Sequence, residues 1–138
     1  MISPKCIWRD DMEGFRKSLV DDWVEIWNSY DLNKVPKLFL DDSRVTYFSS
    51  EKQGTVRGID DLMEHHRGFG FVEGGKEQPN RLWLEDTEID EFEGSAIVTA
   101  IWCFERGETG AVQRGPVTLV YVPTSNGARI AHANFGNY

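Results

Sequence analysis

The stretch that most constrains the fold is residues 80–135. Four strand-length segments follow one another there: NRLWLEDTEIDEF (80–92), SAIVTAIWCFERG (95–107), AVQRGPVTLVYV (111–122) and GARIAHANF (127–135). They are separated by EG, GETG and PTSNG, whose glycine, asparagine and proline residues supply the backbone angles that hairpins need. The segments therefore read as antiparallel neighbours. A sheet of this kind must bury one face against something apolar.

That cover comes earlier in the chain. From Asp11 to Tyr30, Phe15, Leu19, Trp23, Ile26, Trp27 and Tyr30 recur at three- and four-residue spacing, and Lys17, Asp21, Asp22, Glu25 and Asn28 fall on the opposite face. This is the stripe of an amphipathic helix. DLNKVPKLFLDD follows as a short second helix, with Asp31 or Asn33 as its cap and Pro36 tolerated in the first turn. Its buried side is Leu32, Val35, Leu38 and Phe39. SRVTYFSS (43–50) alternates as a strand, with Val45 and Tyr47 on one face and Thr46 and Phe48 on the other. IDDLMEHHRG is a third helix with Ile59, Leu62, Met63 and His66 inward, His65 on the solvent side, and Gly68 at its C-terminal end. The reading is α+β: three N-terminal helices packed on one face of a strongly curved, mainly antiparallel sheet. Residues 1–10 read as a tail, and 11–138 as one domain.

Composition narrows the partners. A net charge of −8 opposes nucleic acid and anionic membrane surfaces, which require a basic footprint. The acidic run at 84–94 reads as a solvated strand edge. Two cysteines, Cys6 and Cys103, make neither a disulfide framework nor a metal-binding spacing. No phosphate-binding glycine loop or Ser-His-Asp arrangement is visible, so no cofactor is expected. The N-terminal MISPKCIWRDD lacks the apolar core of a signal peptide, and no run reaches transmembrane length. The expected location is cytoplasmic.

The order and spacing of WNSYDLNKVPKLFLDDSRVTYF, GTVRGIDDLMEHHRGF, AIVTAIWCFER and RGPVTLVYVPTSNGARIAHANFG resemble the nuclear transport factor 2-like, or cystatin-like, superfamily. The likeness is to its SnoaL-like and ketosteroid-isomerase-like branch and covers about residues 15–136. It implies a cone closed by helices over a pocket, often in dimers formed through the outer sheet face. Ketosteroid isomerases use a helix Tyr and a protonated late-strand Asp to stabilise an enolate, and a first-strand Asp to abstract the proton. The matching positions here are Trp23, Thr118 and Tyr47, so that chemistry is not expected. In scytalone-dehydratase-like lyases an Asp near the end of helix 1 works with a His and tyrosines. Asp31, Tyr30 and Tyr47 match those types, but GKEQPNRLW lacks the His, which deprives the carboxylate of its partner base.

Two readings remain. In one, a small, partly apolar molecule binds a pocket lined by Trp23, Trp27, His66, Phe69, Trp102, Thr118 and Asn134, with His132, Tyr47, Tyr30 and Asp31 as the candidate catalytic groups for isomerase- or lyase-like proton transfer. Strict alternation would put Ala128, Ile130, His132 and Asn134 on one strand face, pointing into the cone. In the other, the protein is a non-catalytic dimeric association module with a filled cone. Both readings predict a homodimer through an outer face carrying Ile97, Thr99, Ile101 and Cys103 with Val117, Leu119 and Tyr121. An open cavity exposing His132 would favour the first reading, and a cone packed with side chains the second.

Overall fold

A computed structural model of the chain describes residues 15–138. The expected tail, Cys6 and the first residues of the expected helix from Asp11 lie outside the described residues. Helix α1 (Lys17–Ser29) is followed by a 3-10 turn (Leu32–Lys34), α2 (Val35–Leu38), β1 (Thr46–Phe48), β2 (Val56–Arg57) and α3 (Ile59–Gly68). Then come β3 (Arg81–Glu91), β4 (Ala96–Glu105), β5 (Val112–Thr124) and β6 (Gly127–Phe135). They form one curled sheet in the order β2-β1-β6-β5-β4-β3. Among the described strands only β1 and β6 run parallel. The α+β class expected from the sequence is the one observed.

α1 buries Val20, Trp23, Ile26 and Trp27, four positions one helical turn or less apart, and lays them on the inner face of the sheet. It ends at Tyr30, which adopts a left-handed conformation with φ 56° and returns its N–H to Ile26. A non-glycine residue there is strained. Stacking of the Tyr30 ring on Phe71 at 4.8 Å and a hydrogen bond from Asn80 Nδ2 to its hydroxyl hold it. Asn28, expected on the solvent face, instead docks the helix on β3. Its Oδ1 accepts from the Leu82 N–H at 3.0 Å and its Nδ2 donates to the Leu82 carbonyl at 3.2 Å. Short polar side chains satisfy backbone groups as readily as water does, so spacing alone does not tell the two uses apart. The strand β2 lies inside EKQGTVRG, where only a turn-rich connection was expected.

Cross-strand partners share a face, and this rule sorts the sheet. On β4, Ala96, Val98, Ala100, Trp102 and Phe104 point to the helices, and Ile97, Thr99, Ile101 and Cys103 point outward, as expected. Their partners correct the expectation for β5. Tyr121, Leu119 and Val117 pair with Ala96, Val98 and Ala100 and are buried inside. The outward set is Pro116, Thr118 and Val120. PVTLVYV is apolar at both parities, so its own alternation cannot choose a face; the register with β4 does.

The last strand departs from strict alternation. Tyr121 pairs with Ile130 and Val120 with His132, which leaves Ala131 as the extra residue of a β-bulge. Ile130 and Ala133, three apart, are therefore both fully buried. Past Phe135 the chain continues along β5. Gly136 N–H donates to the Pro116 carbonyl at 2.9 Å, and the Gly136 carbonyl accepts from Trp102 Nε1 at 2.9 Å.

This crossing runs directly over Gly115. A Cβ there would collide with the Gly136 carbonyl and approach Trp102 Nε1 at 2.9 Å. Gly115→Ala is expected to lower stability by about 2–3 kcal/mol through overpacking against backbone. Urea unfolding monitored by tryptophan fluorescence checks it.

Candidate functional site

The inner face of the cone is a continuous aromatic cluster. The Trp27 ring meets Phe69, Phe71 and His66 at centroid distances of 5.3, 5.0 and 5.5 Å. Tyr47 meets Phe135 at 5.5 Å and His66 at 5.8 Å. Phe135 also touches Trp23 and Trp102. What the rings leave open is a cavity of about 50 Å³. Its aromatic walls are Trp27, Tyr47, Phe69, Trp102, Phe104 and Phe135, joined by Leu82, and its mouth carries Ser49, Ser50, Glu51, Arg106 and Gln113.

Of the residues singled out from the sequence, Trp27, Tyr47, Phe69 and Trp102 come together around this cavity. Tyr47 is buried and its hydroxyl makes no hydrogen bond among the described residues. Burial pushes its pKa above the usual phenol range, which keeps it a neutral donor. Trp23 is fully buried beneath the sheet, away from the cavity walls.

The other candidates are placed elsewhere. Asp31 is a cap: its Oδ1 accepts from the N–H groups of Asn33 at 3.1 Å and Gly74 at 3.0 Å. Tyr30 is tied to Asn80 and Phe71, outside the cavity lining. His132, Asn134 and Thr118 do not point into the cone. The bulge at Ala131 turns His132 and Asn134 to the outer face, opposite Val120 and Thr118. There His132 Nδ1 shares a 2.7 Å hydrogen bond with Thr46 Oγ1, and its ring abuts Phe48 at 5.7 Å. The match of Thr118 to an isomerase pocket Asp fails for the same reason of parity.

His66 does reach the core. It is 0 % exposed, its Nδ1 donates to the Leu62 carbonyl at 2.9 Å, and its Nε2 is buried without a partner among the described residues. Burial disfavours the imidazolium so strongly that its pKa falls to about 4, the helical carbonyl bond opposing only in part. His65, expected in solvent, is half-buried against Tyr47 and Phe69 at 5.2 and 5.1 Å, and burial lowers its pKa too.

Residues missed from the sequence fall into two kinds. Phe104 shares the parity of Trp102 and was available from alternation; Phe135 was hidden by the bulge. Arg106, Glu51 and Gln113 meet only in three dimensions, where Arg106 donates to Gln113 Oε1 at 3.3 Å and stands 3.7 Å from Glu51. Among the described residues no group of three His, Cys, Asp or Glu side chains converges as a metal site, and no helix is long and apolar enough to cross a membrane.

With this geometry in hand, comparison with solved structures defines the fold. A nuclear transport factor 2-like superfamily protein from Salmonella enterica serovar Typhimurium superposes with a TM-score of 0.72 at 16% identity, covering 98% of this chain and 93% of that one. An NTF2-like protein of unknown function from Pseudomonas putida gives 0.75 at 13% identity, covering 87% and 82%. The CaMKII hub of S. rosetta gives 0.70 at 21% identity, covering 88% and 92%. No family model and no curated protein matches the sequence. The chain has the NTF2-like, cystatin-like fold, as the sequence resemblance implied.

The neutral His66 has a consequence for stability. The unfolded chain takes up a proton near the ordinary histidine value of 6.5, whereas the folded chain resists it until about 4. Stability therefore falls as pH drops through that window, with His65 adding in the same direction. The loss between pH 7 and pH 5 is expected to be about 2 kcal/mol from His66. In His66→Gln the pH dependence of the urea midpoint should flatten by that amount.

Proposed function

We propose that this chain is an association module on the NTF2-like scaffold, pairing with a second copy through the outer face of its sheet. The observation that carries the reading is the filled cone. Aromatic side chains reduce the interior to about 50 Å³, whereas small-molecule sites usually span about 300–1,000 Å³. The placement of the candidate acid–base groups supports it further. Asp31 caps a turn, Tyr30 is bonded to Asn80, and His132 sits on the outer face, so they do not converge on one reacting centre.

The outer face supports it from the other side. Ile97, Ile101 and Val120 are only partly covered there, and Phe48 is 39% exposed. Apolar surface of this kind is a frequent mark of an interface. The CaMKII hub of S. rosetta and the association domain of C. elegans CaMKII share this fold, which agrees with such a use of it.

A second reading keeps the cavity as a site for a small, partly apolar molecule. The unpartnered hydroxyl of Tyr47 and the guanidinium of Arg106 at the mouth favour it, as polar points beside apolar walls.

Native mass spectrometry separates the two. The association reading expects a dimer carrying no organic molecule, and expects Val120→Arg to weaken that dimer about 100-fold while leaving the melting temperature within a few degrees. A retained small molecule, or a wild-type monomer at micromolar concentration in sedimentation, would overturn it.

A further inference from the structure

The outer face has a polarity along its hydrogen-bonded rows. One row crosses all six strands: Asp90 on β3, Ile97 on β4, Val120 on β5, His132 on β6, Thr46 on β1 and Arg57 on β2. It begins on a carboxylate and ends on a guanidinium. Asp90 and Arg57 are both exposed, and neither makes an ion pair among the described residues. Glu88, exposed and also without an ion pair among the described residues, adds a second carboxylate to the β3 edge, one row away opposite Thr99.

Two-fold axes lying in the plane of such a face come in two simple orientations. An axis perpendicular to the strands lays β3 over the partner's β3. The unpaired Glu88 and Asp90 would then lie against the same acidic edge of the partner subunit, in a protein that already carries a net charge of −8. An axis parallel to the strands, passing between β5 and β6, reverses the strand order across the interface. β3 then lies over β2 of the partner subunit, and the row becomes complementary to itself.

Resting on the association reading above, we infer that this chain dimerises about a two-fold axis parallel to its strands, with Asp90 and Glu88 of each copy facing Arg57 of the partner subunit. Val120 then meets His132 of the partner subunit near the axis, and Ile97 meets the partner subunit's Thr46. At about 4.8 Å between strands, the charged ends lie about 12 Å from the axis. The curl of the sheet brings the middle strands together first and leaves the charged ends at the rim. Charges at a rim still act within the Debye length of about 8 Å and choose orientation more than they add affinity.

Mixing two charge-reversed full-length chains tests this. Asp90→Lys places like charges against Arg57 in its homodimer, and Arg57→Glu places like charges against Asp90 and Glu88 in its own. Each homodimer is expected to weaken about tenfold. The mixture restores both ion pairs, so native mass spectrometry should show heterodimers well above the statistical half. Should either reversal perturb folding, the neutral pair Asp90→Asn and Arg57→Gln gives the same reading, with each homodimer weakened about threefold in sedimentation. A wild-type dimer whose variants mix statistically, with homodimer affinities unchanged, overturns the orientation and leaves the association reading standing. A wild-type monomer overturns both.

Discussion

The extra residue at Ala131 is the constraint on which the rest of the inner and outer faces depends. Without a bulge, β6 could bury Ile130 or the pair Ala133 and Phe135, but not all three. With it, Ile130 caps the core beside Tyr121 while Ala133 and Phe135 close the far end. Phe135 then reaches Trp23, Tyr47 and Trp102 and becomes the common wall of the aromatic cluster. A bulge costs one ladder position and returns a second apolar contact set. Here it also removes the imidazole of His132 from the cone.

The cluster in turn determines the chemistry left inside. His66 sits among Trp27, Phe39, Tyr47 and Phe71 with a single hydrogen bond from its Nδ1. An imidazole in such surroundings is a neutral packing element at pH 7, because its charged form would lose hydration without gaining a carboxylate. Tyr47 is held neutral by the same burial. The interior thus contains titratable groups locked in one state, which suits a core better than a site that must move protons.

On the other side of the sheet, some polar groups are paired within the chain and others are not. Glu85 binds Arg114 and accepts from Trp83 Nε1 at 3.3 Å, and the pair covers the buried Cys103. His132 is fixed to Thr46. These groups have partners within the chain, whereas Asp90, Glu88 and Arg57 make no ion pair among the described residues. The distinction separates the residues that shape the face from those available to a partner.

Much of this was legible in the sequence. The 3.6-residue stripe of α1, the bounds of α3 at Ile59 and Gly68, the four C-terminal strands and the inward aromatics Trp27, Tyr47 and Trp102 follow from local periodicity. Periodicity is a property of each segment, and burial of one face enforces it. Three things were decided only by the tertiary structure. The face shown by Val117, Leu119 and Tyr121 depends on register with β4, since their own segment is apolar at both parities. The outward turn of His132 and Asn134 depends on one unpaired residue in β6, which shifts parity without changing composition. The docking of Asn28 on Leu82 depends on a backbone 54 positions away. Each is a relation between strands or between helix and strand, and a chain read one segment at a time carries no term for it.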